Sequence, residues 1–215
     1  MRAFGIVAAA ATLGLALTGI DTAPALAGAP KVDASMDTVV CNTLVSTVKV
    51  TPPFISGGTA TSTAITVKGI LDGCSVSGPH PVSIISGTKF SGKLIGTSND
   101  CAVLLGAGET VNGSLTIKWK TDPSTPLVSP TSVYTPGKLL GDSSTTPWGI
   151  ANGEFFLSSP GTSVVTGSFQ GTDGGASSVT YAISGQDMFG AISSACGSTS
   201  GLKLLNLSPG QLNLL

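Results

Sequence analysis

The side chains that could carry chemistry are few, and the single histidine limits them most. His80 lies in Gly78-Pro79-His80-Pro81, a composition typical of a rigid, exposed turn. One histidine cannot build a multi-histidine zinc or copper site. A catalytic role would need a nucleophile or a second ligand within hydrogen-bond reach. We therefore interpret His80 as a surface turn residue.

Serine nucleophiles lack a supporting motif. Gly141-Asp142-Ser143-Ser144 is similar to the opening motif of some secreted esterases, but those enzymes need a histidine late in the chain and none follows His80. Gly197-Ser198-Thr199-Ser200-Gly201 has threonine where a nucleophile elbow needs serine. The sequence therefore disfavours serine hydrolysis.

Carboxylates offer another enzymatic route, because glycoside hydrolysis needs two acids about 5 to 10 Å apart in a cleft. Most acidic candidates lie beside Gly, Ser or Asn, which predicts solvated turn carboxylates. They are Asp72, Asp100, Glu109, Asp122, Asp142, Glu154, Asp173 and Asp187. Glu154 is the exception, because Asn152-Gly153-Glu154-Phe155-Phe156 places an acid at the start of an apolar strand. Asp173 lies in a glycine-rich turn without the alternating acids of a calcium loop.

Aromatic side chains could form a sugar-binding face. Trp119 shares a strand face with Leu115 and Ile117, so we predict that it belongs to the core. Trp148 follows Pro147 in a proline-rich stretch and is the better candidate for an exposed contact with a ligand.

Four cysteines, Cys41, Cys74, Cys101 and Cys196, follow the N-terminal region. An even number favours two disulfides in an exported protein. Three pairings are possible, and we prefer Cys41 with Cys74 and Cys101 with Cys196 because the short local loop then closes first. No C-x-x-C pair or comparable ligand cluster is present. We expect no metal site and no cofactor.

The first 27 residues have the order of parts of a secretory signal peptide. Met1-Arg2 supplies a positive charge, residues 3–20 are apolar, and Ala25-Leu26-Ala27 predicts cleavage after Ala27. A membrane anchor is the alternative, because 18 apolar residues approach the roughly 20 needed to span a bilayer. No stretch of that length recurs after residue 27. We therefore expect a secreted or envelope-associated protein without an integral membrane segment in its processed form.

Charge is scarce and nearly balanced. The chain has 10 Lys and Arg, 11 Asp and Glu, and a formal net charge of −1. After residue 27 all the basic residues except His80 are lysines, so the bidentate guanidinium forks used to bind phosphate are absent. The composition gives no electrostatic signature of nucleic-acid or anionic-lipid binding.

Hydrophobic residues alternate with polar ones in many short runs, a period that predicts strands with one buried face. The clearest runs are 44–51, 65–71, 114–120 and 177–184. Pro52-Pro53 is predicted to end the first run, and the turn Asp72-Gly73 the second. The other candidate strands are 88–95, 101–105, 131–136, 154–158, 163–169 and 201–206. The pattern predicts an all-β fold, an antiparallel β-sandwich or barrel stapled by disulfides.

Three segments depart from this pattern. Residues 28–36 have no periodicity and are predicted to form a flexible leader to a single β domain over 37–215. Residues 186–196 could hold a helical turn. Residues 121–153 contain five prolines, which we interpret as an edge-strand region, the alternative being a long functional loop.

Several motifs together resemble a group of small secreted actinobacterial β-rich proteins. They are Cys41 before a Val-rich strand, Ile70-Leu71-Asp72-Gly73-Cys74, Asn99-Asp100-Cys101, Thr116-Ile117-Lys118-Trp119 and Cys196 near the C-terminus. The resemblance implies export, disulfides and a β fold, and it brings no site residues.

These observations favour a non-enzymatic extracellular or envelope-associated structural or binding module, in contact with the cell envelope or with glycans. One alternative is a secreted carbohydrate-active hydrolase that uses carboxylates. The other is a β-rich pore or surface assembly.

Overall fold

The chain folds mainly as antiparallel β-sheet, which confirms the predicted class. The computed structural model describes residues 28–80, 82–141, 155–158, 164–171, 177–181 and 188–214. The elements in these ranges are β1 (Thr38–Phe54), β2 (Thr63–Ser77), β3 (Thr88–Gly96), a π-helical turn (Val103–Ala107), β4 (Glu109–Lys118), β5 (Thr131–Thr135), β6 (Lys138–Gly141), β7 (Phe155–Ser158), β8 (Val164–Gly167), β9 (Ser177–Tyr181), α1 (Met188–Gly197) and β10 (Leu202–Leu214).

Strand β1 lies at the centre of the longest ladders. It pairs with β2 in one constant register from Thr38 opposite Ser77 to Thr51 opposite Ala64, and with β10 on its other side. The strand order is β3-β2-β1-β10-β9-β7-β6-β4-β5-β8, and β3 also pairs with β4. Four neighbouring strands, β1 to β4, therefore present one continuous outer surface.

The inner side of these strands forms the core. Alternation along β1 buries Leu44, Ser46, Val48 and Val50 and leaves the residues between them on the outer side. Close packing leaves a cavity of only about 10 Å³ among the central side chains, about the volume that one water molecule needs. These central side chains are Leu44, Leu71, Phe90, Leu115, Ile117, Tyr134 and Leu212.

Both disulfides follow the preferred pairing. Cys41 and Cys74 are directly opposite each other on β1 and β2, with their Cα atoms 3.9 Å apart. Cys101 and Cys196 join the turn before the π-helical segment to α1, with a Cα separation of 6.0 Å. One bridge reinforces an existing ladder, and the other ties a helix to the sheet.

The predicted strand at 101–105 is wrong, because the chain turns helically there. The Asp100 carboxylate accepts a hydrogen bond from the Ala102 N–H at 3.0 Å, and the Asp100 carbonyl accepts from Val103 and Leu104. Such local bonds offer the backbone an alternative to a ladder. Gly108, with a φ of 81°, ends the segment before β4. The ambiguous segment 186–196 is also helical from Met188 onward, as α1, and residues 186 and 187 lie outside the described ranges.

Prolines and turn residues end strands less often than predicted. Strand β1 continues through Pro52-Pro53 to Phe54, although its ladder with β2 ends at Thr51. Strand β10 runs through Pro209, and its register against β1 shifts on both sides of Gly210. Asp72-Gly73 lies within β2, where glycine adopts a φ of 60° without reversing the chain.

Two segment predictions need correction. The leader is bound to the sheet rather than free, because the Val32 N–H donates to Pro126, the Val32 carbonyl accepts from Val128, and the Ala34 carbonyl accepts from Phe169. Within 121–153, β5 lies between β4 and β8, and β6 lies between β4 and β7. Neither is an edge strand, and residues 142–154 lie outside the described ranges.

Candidate functional site

The outer surface of β1 to β4 carries a concentration of lysines. The residues that alternate with the buried positions of these strands form this surface, which we call the lysine face. They are Val45, Thr47, Lys49, Thr51, Ala64, Thr66, Lys68, Ile70, Lys89, Ser91, Lys93, Ile95, Asn112, Ser114, Thr116 and Lys118. The face thus combines ammonium groups, hydroxyls, one amide and a few aliphatic side chains. Asp72 lies at its end, two residues after Ile70, where it accepts the Gly87 N–H.

Strand register brings the five lysines together. Lys68 is opposite Ser91, and Lys89 and Lys93 lie two residues to either side of Ser91. Such diagonal neighbours are about 7 to 8 Å apart. Lys49 is diagonal to Lys68 in the same way, through Thr66. A continuous row of positive charge therefore crosses the strands.

Lys89 and Lys118 form the closest pair, since they are directly opposite each other on β3 and β4. Like charges at directly opposite positions destabilise a sheet. In the described part of the chain, none of the five lysines has a carboxylate within 4.0 Å. An anionic ligand would relieve the repulsion between them.

A depression of about 310 Å³ lies within the lysine face, between β2, β3 and β4. Lys93, Ile95 and Asn112 line it, together with Ala64, Ile65, Thr66, Leu94 and Gly113. Gly113 has a φ of 125°, and a Cβ there would come within 2.3 Å of the Lys93 carbonyl oxygen. Glycine at this position permits β4 to approach β3 closely beside the depression.

The overall composition of the chain does not predict the lysine face. The net charge of −1 correctly describes the whole chain, but it says nothing of where the charges lie. The signal was present in the outer positions of the predicted strands, because lysine alternates with apolar residues in β2 and β3. Strand register was needed to place these lysines on one surface.

His80 is paired with a buried acid that sequence reasoning missed. Asp37 is fully buried, and its Oδ2 lies 3.3 Å from Nδ1 of His80, whose side chain is 44% exposed. Asp37 Oδ1 also accepts the His80 backbone N–H at 3.2 Å. Among the described residues no hydroxyl or thiol hydrogen bonds to the imidazole, so a nucleophile for a catalytic triad is missing from this part of the structure. The pair holds the 78–80 turn against the start of β1.

Replacing Asp37 tests this tether. We expect Asp37→Ala to lower the free energy of unfolding by roughly 2 to 3 kcal/mol, because the backbone N–H and the imidazole of His80 both lose their buried acceptor. His80→Ala is the matched control. It should cost less, because it removes the imidazole contact but keeps the bond from the backbone N–H of residue 80 to Asp37. Urea denaturation of both variants measures the difference. Equal losses of stability in the two variants would show that the backbone bond to Asp37 adds nothing to the tether.

Glu109 is likewise buried rather than a solvated turn residue. It begins β4, and its Oε1 accepts hydrogen bonds from the Thr97 N–H, the Thr97 hydroxyl at 3.2 Å and the Ser98 N–H at 2.7 Å. Its Oε2 has no hydrogen-bond partner among the described residues. Gly96 permits this arrangement, since a Cβ there would lie 2.7 Å from Oε1. Glu109 anchors the turn after β3.

Other predicted carboxylates serve turns. Asp72 accepts the Gly87 N–H, and Asp100 accepts the N–H groups of Gly57 and Ala102. Hydrogen bonds from the Ser124 side chain and backbone lower the pKa of Asp122 below its ordinary value. Bonds from the Ser35 side chain and backbone, with the charge of His80 adding to them, lower the pKa of Asp33 in the same way. Both exposed acids are thereby kept ionised.

The remaining site predictions lie outside the described residues. They are the cleavage site at Ala27, the ligand contact at Trp148, and the acids Asp142, Glu154, Asp173 and Asp187. Trp119 lies where predicted, buried in the core.

A second concavity, of about 440 Å³, lies beside the first disulfide. Cys74, Ser75, Val76, Val82, Ser83, Ile84 and Thr125 line it, without an ionisable side chain. In the ranges that the structure describes, no three His, Cys, Asp or Glu side chains are grouped to hold a metal ion. Over the same ranges, no helix has the length and hydropathy to cross a membrane.

No family model matches the chain, and no curated protein and no solved structure matches it.

Proposed function

We propose that this protein is an exported, non-enzymatic binding module that contacts anionic glycans of the cell envelope or its surroundings through the lysine face. The observation that carries this proposal is the grouping of Lys49, Lys68, Lys89, Lys93 and Lys118 on one sheet surface, with no carboxylate of the described residues within 4.0 Å of them. In a chain of near-neutral net charge, such segregation creates a local positive field.

Binding, rather than catalysis, suits the groups on this face. Lysine ammonium groups act as compact point charges for anions. The hydroxyls of Thr66, Ser91, Ser114 and Thr116 lie between them and can donate or accept hydrogen bonds. In the described strands no imidazole lies on the face, and Asp72 at its end is held by the Gly87 N–H, so the face has no pair of groups that could exchange protons with a substrate.

A glycan fits this face better than a nucleic acid. Single-stranded nucleic acids stack their bases on aromatic side chains, and the lysine face has none. Trp119 and Tyr134 are buried in the core. The face also lacks arginine, the residue best suited to bidentate contacts with phosphate. Hydroxyl and amide groups instead match the hydroxyl-rich edge of a sugar.

Export is supported by two features that are independent of the face. The first 27 residues have the pattern of a signal peptide. Two disulfides suit an oxidising compartment. Both features are consistent with contact between this module and the cell envelope or secreted polymers.

The test measures affinity for polygalacturonate, a carboxylated glycan, at several salt concentrations. We expect Lys68→Gln with Lys93→Gln to weaken binding roughly tenfold or more, by analogy with the roughly 1 kcal/mol that each lysine contributes near an anionic surface. Binding should also fall as salt rises, because the charges are exposed.

Lys31→Gln is the matched control, since Lys31 is exposed but lies in the N-terminal segment outside the face. It should leave affinity almost unchanged. An equal loss of affinity in the control and in the double variant would contradict the proposal. Binding that does not change with salt, or the absence of binding to polygalacturonate, would contradict it as well.

A further inference from the structure

We infer that the depression between β2, β3 and β4 is a subsite for one acidic sugar unit, bound by Lys93, Ile95 and Asn112. This inference rests on the proposed function, and it states which part of the lysine face distinguishes a sugar from other anions.

Two neighbouring rows of side chains cross the depression. In one row Lys93 is flanked by Thr66 on β2 and Ser114 on β4. In the other, Ile95 is flanked by Ala64 on β2 and Asn112 on β4. A charged, hydroxyl-bearing row therefore lies beside an apolar row that ends in an amide.

This arrangement matches the chemistry of a pyranose acid. A sugar ring has an apolar C–H surface, a rim of hydroxyls and, in a uronic acid, one carboxylate. The side chain of Ile95 is 55% exposed and offers apolar surface for the ring. Asn112 can both donate to and accept from a hydroxyl. The Lys93 ammonium, which also lines the depression, supplies the positive charge to pair with the carboxylate.

The shape of the depression favours a compact ligand. Its volume of about 310 Å³ lies at the lower end of the roughly 300 to 1,000 Å³ typical of ligand sites. The surrounding lysines, Lys68 and Lys89, lie outside the lining. They would attract neighbouring acidic units of the same polymer, while the depression would hold one unit in a defined orientation.

The experiment compares polygalacturonate with polyphosphate, neutral dextran and vesicles of anionic phospholipid, by calorimetric titration. Asn112→Ala and Ile95→Thr are the test variants, and both replace exposed residues with residues that strands tolerate. We expect each to weaken polygalacturonate binding about three- to tenfold, the effect of losing one contact. Polyphosphate binding should stay unchanged, because it depends on charge alone.

Thr59→Ala is the matched control, since Thr59 is exposed in the loop between β1 and β2, outside the lysine face and outside the lining of the depression. It should bind polygalacturonate as the unaltered protein does. Thermal unfolding of each variant verifies that the fold is retained.

Each contrary outcome has a separate meaning. If lysine substitution weakens binding while Asn112→Ala and Ile95→Thr do not, the lysine face binds glycan without this subsite, and the inference is overturned. Equal losses for polyphosphate would also overturn it. Tighter binding to vesicles than to polygalacturonate would assign the face to lipid, and absence of binding to every polyanion would overturn the proposed function itself.

Discussion

Removing the Cys101–Cys196 disulfide with the double substitution Cys101→Ala and Cys196→Ala should lower the free energy of unfolding by about 4 to 5 kcal/mol. Removing Cys41–Cys74 in the same way should cost about 3 to 4 kcal/mol. The difference follows from the sequence separations of 95 and 33 residues, since the longer loop restricts the unfolded chain more.

Local structure makes the Cys101–Cys196 bridge more important still. Helix α1 lies outside the strand ladders, and Ile192 on it is buried in the core. The Ser56 N–H donates to the Cys196 carbonyl at 3.3 Å, so one backbone bond accompanies the disulfide at that end of α1. Cys41 and Cys74, in contrast, lie within a ladder of continuous register on β1 and β2, and we expect its hydrogen bonds to remain when the bridge is removed.

Urea denaturation of the two double variants, monitored by circular dichroism, compares these losses. Hydrogen exchange should show faster exchange at 188–197 in the variant without Cys101–Cys196. A larger loss on removal of Cys41–Cys74 would contradict this account of the two bridges.

Trp119→Ala should lower the free energy of unfolding by about 3 to 5 kcal/mol, as expected for a large buried aromatic residue. Its Nε1 donates to the Ser132 hydroxyl at 2.7 Å, and its ring meets Phe169 edge to face with centroids 4.8 Å apart. The Ser132 hydroxyl in turn donates to the Ser168 carbonyl. Substitution therefore removes both packing volume and one member of a buried polar network.

Trp119→Phe separates these contributions, because it keeps an aromatic ring and removes the N–H donor. Its expected cost is about 1 to 2 kcal/mol. Chemical denaturation followed by far-ultraviolet circular dichroism measures both variants. Equal losses for Trp119→Phe and Trp119→Ala would show that the hydrogen bond, and not the buried volume, dominates.

Local patterns in the sequence predict much of this fold because they depend on near neighbours. Alternation along 44–51 and 65–71 predicts which side chains are buried, since a strand places successive residues on opposite faces. The even number of cysteines and their spacing favour the pairing that the structure has.

Where prediction failed, a local signal competed with the rest of the sheet. Pro52-Pro53 and Pro209 have no N–H to donate, but their strands tolerate them where the ladders end or shift register. At 101–105 the Asp100 bonds to the following backbone outweighed an apolar run that suggested a strand.

The candidate site depended on contacts between distant residues, which a single sequence does not specify. Lys89 and Lys118 are 29 positions apart in the chain but opposite each other in the sheet. Asp37 meets His80 because the pairing of β1 with β2 begins at Thr38 opposite Ser77, next to both residues. The sequence predicts a turn acid at Glu109, because it does not show that the turn after β3 folds back onto this side chain.

Covalent coupling of a pre-activated acidic glycan would locate the contact surface most directly. A small fraction of the polygalacturonate carboxylates is converted to active esters while the rest stay ionised, excess reagent is removed, and the glycan is mixed with the protein at low salt. A lysine amine displaces the ester and forms an amide with the glycan, and peptide mapping by mass spectrometry then identifies each modified position. We predict preferential coupling at Lys49, Lys68, Lys89, Lys93 and Lys118, suppressed by added salt. Coupling to the exposed Lys31 and Lys203 as fast as to these five lysines would contradict the assignment of the lysine face as the binding surface.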